Sequence, residues 1–172
     1  MQPVQPPNFC ERCGAKLASK VPDGDSRERR VCPLCHHVHY LQPKVAAGTI
    51  AEIGGKIVLI KRNVEPRKGF WSFPCGFVEM DETLEEAARR ETREEAGVDV
   101  EIVGHLGTYS YPSAYGVHVV VVAYHAMVTG GTPVAGDDAI DLKLIERNTV
   151  PWDDLAFLSS HEAIKAWLAK PR

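Results

Sequence analysis

Residues 76–98 read GFVEMDETLEEAARRETREEAGV. Thr83 and Glu86 have the spacing of a capping box, in which each side chain satisfies the other residue's backbone N–H, so a helix starts here. Gly97 suits the left-handed residue that closes it. Between these ends Glu91, Glu94 and Glu95 stand at i, i+3 and i+4 and share one face. Like charges so spaced repel, and the negative end of the helix dipole adds to the cost. A hard divalent cation, Mg²⁺ or Mn²⁺, removes both costs, because it takes carboxylate oxygens as ligands. The competing reading is a solvated charged face, the usual meaning of such runs. Arg90, four residues from both Glu86 and Glu94, is placed to neutralise and orient these carboxylates.

Outward from the helix, the text predicts a sheet. Lys44–Ile53 and Lys56–Arg62 are strand-like runs joined by Gly54-Gly55, a hairpin signal. Phe70–Phe73 is a short aromatic segment that ends at Pro74. Val100–Tyr111 reads as a strand broken by Gly104 and Gly107. Val117–Val128 is apolar at both alternating sets of positions, which predicts a central strand buried on both faces, with His118 and His125 as packed polar residues. Residues 129–138 read as a loop, Leu142–Ile145 as a short strand, and Ser159–Lys170 as a terminal helix with Ala163, Ile164, Trp167 and Leu168 at helical spacing. Strands mixed with two helices predict a sheet sandwiched by helices.

The other dense signal is at the start. Cys10-x2-Cys13 and Cys32-x2-Cys35 have the spacing of a four-thiolate zinc site. Each two-residue gap lets a tight turn aim two sulfurs at one point, and two such knuckles complete a tetrahedron. Four thiolates close the coordination sphere, so the zinc is structural. Two disulfides in a secreted domain are the alternative. Met1–Asn8 has no secretory pattern and Cys75 is left over, which argues against them. His36, His37 and His39 crowd the second knuckle; one of them could replace a cysteine as ligand, but with four thiolates available they read as solvated or second-shell residues. Gly14 suits a positive φ in the first knuckle, and Pro22-Asp23-Gly24-Asp25 reads as a turn between two ribbon strands. This gives a zinc ribbon over residues 1–41 and a second domain over 42–172, with Gln42-Pro43 marking the join. Cys75 reads as a small buried residue.

The whole chain has 172 residues, 44% apolar and 25% charged, with a net charge of −3. These proportions exclude global disorder and coiled coil. No apolar run reaches the length of a membrane span. The mild acidity weighs against a nucleic-acid partner, and residues 1–41 carry six basic residues against four acidic, a weak footprint for DNA. The expectation is a soluble cytoplasmic protein.

Residues 76–97 match, at every fixed position, the box of the Nudix hydrolase family: Gly76, five residues, Glu82, seven residues, Arg90-Glu91, Glu94-Glu95 and Gly97. Thr92 stands where an aliphatic residue is usual, and Met80-Asp81 replaces a common glycine turn. Trp71–Pro74 resembles the family's lead-in strand and loop. A four-cysteine ribbon ahead of such a domain is similar to the family's NADH pyrophosphatases and to a group acting on FAD or ADP-ribose. The segments 8–44 and 151–157 look most like the latter group. The resemblance implies an α/β/α sandwich with a mixed sheet. It implies a diphosphate hydrolase with Glu91, Glu94 and Glu95 as Mg²⁺ or Mn²⁺ ligands, Glu82 as a supporting acid and Arg90 as the orienting partner. The general base varies in the family and often comes from an acidic loop. Asp137, Asp138 and Asp141 occupy that region, and Asp138 is the choice, although Glu94 or Glu95 can also serve and a turn-forming aspartate is an equal reading.

Substrate is harder to read. The Ser-Gln-Pro-Trp-Pro-Phe-Pro array of NADH pyrophosphatases is absent, with Leu106–Tyr115 in its place. Pro112 fits the ADP-ribose pyrophosphatases. Tyr109, Tyr111 and Tyr115 are candidates for stacking on a substrate ring, or for half-buried packing. The expected activity is hydrolysis of ADP-ribose or FAD to AMP, with NADH as the alternative substrate, by a homodimer. A nucleotide sensor and an RNA-end hydrolase are the rival readings. Retention of all three glutamates favours the enzyme.

Overall fold

The computed structural model describes residues 5–113, 116–136 and 138–171. They form two compact units, one comprising the described residues up to Pro43 with Pro112–His118, the other Lys44–Tyr111 and the chain from Val119. Tyr115 and Asp137 lie outside the described residues.

In the first unit β1 (Ala18–Lys20), β2 (Arg29–Val31) and β3 (Val38–His39) form an antiparallel sheet in that order. The expected turn is present: Asp25 N–H donates to Pro22 O at 3.0 Å, with Gly24 at φ 79°. The apolar cluster here is Cys10, Leu17 and Cys32 with Ala15 against them. That is too little for a unit only slightly above the roughly 40-residue limit to fold on burial alone.

The second unit is built from β4 (Lys44–Ile53), β5 (Lys56–Arg62), β6 (Trp71–Ser72), β7 (Cys75–Phe77), α1 (Leu84–Ala96), β8 (Val98–Pro112), β9 (His118–Gly131), β10 (Ala139–Ile145) and α2 (Leu158–Leu168). They make a seven-stranded mixed sheet in the order β10-β5-β4-β9-β8, with β6 on β5 and β7 on β4. β4 runs parallel to β9 from Lys44↔Val119 to Glu52↔Met127. Gly54 and Gly55, at φ 58° and 77°, turn β4 antiparallel onto β5, the two positive φ values of a type I′ hairpin.

Alternation along the strands sorts the core into layers. Ala46 and Ile50 of β4, Ile57 and Leu59 of β5 and Val121 and Ala123 of β9 pack with Ala163, Ile164 and Trp167 of α2. Ala47 of β4 and Val122 and Tyr124 of β9 pack with Ala87 and Ala88 of α1. The two helices therefore cover opposite faces, as the sandwich expectation requires. Residues 121–124 are all buried for the same reason. Thr92 faces β4 from α1. Its hydroxyl donates to Ala88 O at 2.6 Å and lies 2.7 Å from Thr49 Oγ1. With its own proton committed to Ala88, Thr92 accepts from Thr49.

Three strand boundaries differ from expectation. β8 runs unbroken through Gly104 and Gly107, because pairing in the sheet outweighs the weak strand propensity of glycine. A Cβ at Gly107 would meet the Tyr109 hydroxyl at 2.4 Å, so that glycine makes room rather than a break. β9 continues to Gly131, where a Cβ would stand 2.4 Å from Gly97 O. β10 starts at Ala139, paired with Arg62, with a register shift before Asp141.

Candidate active site

α1 has the ends its sequence predicts. Thr83 and Glu86 close a reciprocal capping box, and Gly97 caps the other end at φ 69°. Glu86 is consumed there, its carboxylate accepting from Thr83 N–H at 2.8 Å and Thr83 Oγ1 at 2.9 Å. Arg90 accordingly has partners other than the expected Glu86. Its guanidinium donates to Glu82 at 2.6 and 3.0 Å, to Glu91 at 2.7 Å, to Glu94 at 3.0 Å and to Phe77 O at 3.1 Å. Glu82 also accepts from Glu79 N–H at 2.9 Å. Arg90 and that N–H together hold the Glu82 carboxyl down at about 2.

Glu95 sits apart from this hub. It is 7% exposed and accepts from Cys75 N–H at 2.8 Å. Burial pushes its carboxyl up to about 8. The amide of Cys75 opposes that shift, and the charges of Glu91 and Asp138 reinforce it. Glu91 is raised as well, by burial, against the pull of Arg90. A Cβ at Gly76 would lie 2.2 Å from the Glu91 carboxylate, so the glycine of β7 leaves the space this side chain occupies. Gly136 does the same behind the helix, where a Cβ would meet Glu94 O at 1.8 Å while its N–H donates to Glu95 O at 3.0 Å.

Glu82, Arg90, Glu91 and Glu94 are thus joined by hydrogen bonds, and Asp138 is exposed within electrostatic reach of Glu95. Asp141 is exposed on β10 and accepts from Leu142 N–H. Tyr109 and Tyr111 are half-buried against the core below α2, the Tyr111 hydroxyl 3.0 Å from Ser159 Oγ. Pro112 is exposed at the end of β8. Sequence reasoning missed Arg62, whose positive charge opposes the rise that burial gives the carboxyl of Glu95, the thiol of Cys75 and the phenol of Tyr111. Its guanidinium lies over Phe157 at 5.0 Å. The one available signal was a cation ending an apolar strand. Cys75 is half-buried, and burial raises its thiol well above the ordinary range, as expected of a packing residue.

In the other unit the four sulfurs of Cys10, Cys13, Cys32 and Cys35 lie within 4.8 Å of one another. Three of the separations are 3.4–3.6 Å. Tetrahedral zinc with bonds near 2.3 Å needs sulfurs roughly 3.8 Å apart, whereas a disulfide needs about 2 Å. All four cysteines are free. The donor set and spacing fit a metal and exclude the disulfide alternative. Gly14 has the expected positive φ, 73°. The amide of Cys35 donates to the Cys32 sulfur at 3.4 Å, and that bond holds the thiol down at about 6.

The sequence profile of the NUDIX domain matches residues 41–169, and that of the Nudix N-terminal zinc ribbon matches residues 8–41. The chain belongs to the Nudix hydrolase family. A crystal structure of a Nudix hydrolase from Nitrosomonas europaea superposes with a TM-score of 0.87 at 36% identity, over 94% of this chain and 90% of that one. An ADP-ribose pyrophosphatase of Methanocaldococcus jannaschii is 43% identical over 73% of this chain and 72% of its own. A Pseudomonas aeruginosa protein named NAD-capped RNA hydrolase NudC is 30% identical over 77% of this chain, and the human mitochondrial NAD(P)H pyrophosphatase NUDT13 is 31% identical over 84%. The chain spans 45% and 38% of the length of those two relatives. Among the described residues no helix of this Nudix protein is long and apolar enough to cross a membrane.

Proposed function

We propose that this Nudix hydrolase is a metal-dependent pyrophosphohydrolase. It cleaves the diphosphate of ADP-ribose or FAD and releases AMP. The observation that carries the reading is the pair of half-buried Glu91 and buried Glu95, whose carboxyls burial raises above the ordinary value, beside the exposed Glu94. Such groups gain from a divalent cation what they lose by desolvation. The likeness to an ADP-ribose pyrophosphatase supports the substrate class.

Glu91, Glu94 and Glu95 are the ligands in this scheme, with Glu82 as the supporting acid. A bound Mg²⁺ or Mn²⁺ supplies charge neutralisation at the phosphate oxygens and activation of water. Arg90 fixes the rotamers of Glu82, Glu91 and Glu94 through its four carboxylate hydrogen bonds. Asp138 accepts the proton of the attacking water. Tyr109 and Tyr111 present half-buried rings to the substrate, and Pro112 shapes the end of the strand. Zinc on the four cysteines folds the ribbon, and the active species is a homodimer. A second reading, hydrolysis of NADH or of an NAD-capped RNA, is favoured by the names of two relatives.

The test is chromatography of products after incubation with Mg²⁺ and ADP-ribose, FAD, NADH or NAD-capped RNA, with Glu94→Gln alongside. AMP released from ADP-ribose or FAD, and lost in the variant, is the expected result. Preferential cleavage of NADH or capped RNA moves the protein to the second reading. Tight nucleotide binding without turnover makes it a sensor.

A further inference from the structure

The ribbon holds a second convergence of metal-ligating side chains. One ligand atom each from Glu11, His37 and His39 lies within 4.8 Å of the other two, and none of these residues belongs to the four-cysteine group. Glu11 stands between Cys10 and Cys13. His37 and His39 follow Cys35 at alternate positions of an extended segment, so both imidazoles leave one face. Closing the four-cysteine site therefore brings the carboxylate of one knuckle against the imidazoles of the other. Backbone bonds hold both in place. Cys10 N–H donates to Ala15 O at 2.8 Å, and Cys32 N–H donates to His37 O at 2.9 Å. His37 Nε2 is 2.8 Å from Glu11 Oε1. The His39 ring has no hydrogen-bond partner among the described residues, although it is half-buried.

The geometry points to a second zinc site formed by Glu11, His37 and His39, with a coordination position open to water or to an outside anionic donor. Two imidazoles and one carboxylate are the donor types that zinc accepts with an open fourth position. Zinc bonds near 2.0–2.1 Å place neighbouring donor atoms roughly 3.3 Å apart, so the Glu11–His37 pair must open by about half an ångström and His39 move inward. Glu11 is 63% exposed and His37 17%, so the carboxylate is free to swing while the imidazole is fixed. The four-cysteine site is complete without these residues, and the carboxylates of the Nudix helix take no part. The site would be assembled by the first zinc and would bind the second more weakly, through three protein donors instead of four.

The test counts zinc per chain after equilibration with zinc in excess Mg²⁺ and gel filtration, in the full chain and in Glu11→Gln and His39→Ala. The Nudix carboxylates are the same in all three proteins and cancel. One zinc fewer in each variant than in the unmodified chain is the expected result. An equal count in all three overturns the proposal. A variant that loses two ions has lost the ribbon, and a second measurement on the unmodified chain then decides. Long-range proton–nitrogen spectra should show the ring nitrogens of His37 and His39 shifting only as the second equivalent is added. Ring signals unmoved at saturating zinc overturn the site.

Discussion

A methyl group added at Gly76 lands 2.2 Å from the Glu91 carboxylate, and the backbone there needs no positive φ. Gly76→Ala should therefore fold, displace Glu91 and lower turnover on the order of 10²-fold, the usual cost of misplacing a catalytic group by about 1 Å. A melting curve close to that of the unmodified chain, with turnover measured beside it, checks both halves. Glu95 gives a pH signature. Its carboxyl holds a proton up to about pH 8 in the folded chain, against 4.5 for an ordinary glutamate. Between those values the folded state binds the extra proton, so metal-free stability falls as pH rises through the window. Urea unfolding in chelator across that range should show the slope, and Glu95→Gln should flatten it. The three glutamates were legible because their spacing is local to one helix. Arg62, and the Cys75 amide under Glu95, were not, because only the sheet brings residues from 62, 75 and 95 together.

The capping box sets where α1 begins, and so which residues share the face with Glu91. Thr83→Ala removes the hydroxyl that Glu86 N–H donates to and should cost about 1 kcal/mol in thermal or urea unfolding. The Thr83 amide and hydroxyl hold the Glu86 carboxyl below its ordinary value. Its contribution is present above the unfolded value and lost as pH falls through the lowered folded one. The gap between the variant and the unmodified chain should therefore narrow in acid without closing, because the bond from Glu86 N–H to the Thr83 hydroxyl does not titrate. At this scale the sequence was readable wherever caps and alternation are local. It misled at β8, where Gly104 and Gly107 looked like breaks, and at β10, where pairing with β5 carries the strand back to Ala139. Both errors arise from partners supplied by distant strands.

The two units rest on different sources of stability. The larger has extended apolar clusters on both faces of its sheet. The smaller has a cluster of three buried residues and four convergent thiols. For a module of that size, metal binding is folding free energy. Stripping metal with a strong chelator should collapse amide dispersion for residues 8–41 while the signals of the larger unit persist, as a proton–nitrogen spectrum would show. Loss of both sets together would refute the separation. The convergence of the four cysteines was readable from their spacing, and the strands of the larger unit from alternation. The grouping of Pro112–His118 with the smaller unit was not, since nothing local in that turn names its neighbours.

The Thr49–Thr92 contact imposes a direction on how this core can diverge. No buried side-chain nitrogen or oxygen among the described residues lacks a partner. Thr92 supplies the acceptor for Thr49 and sends its own proton to Ala88. Losing the hydroxyl at 92 first strands a buried O–H donor, a penalty of about 1–3 kcal/mol. Losing the one at 49 first strands no donor. A lineage drifting toward an aliphatic pair has a passable route through position 49 and a valley through position 92. The helix position that looked like the exception to its family is thus locked by its strand neighbour, and the two will change in sequence, not independently.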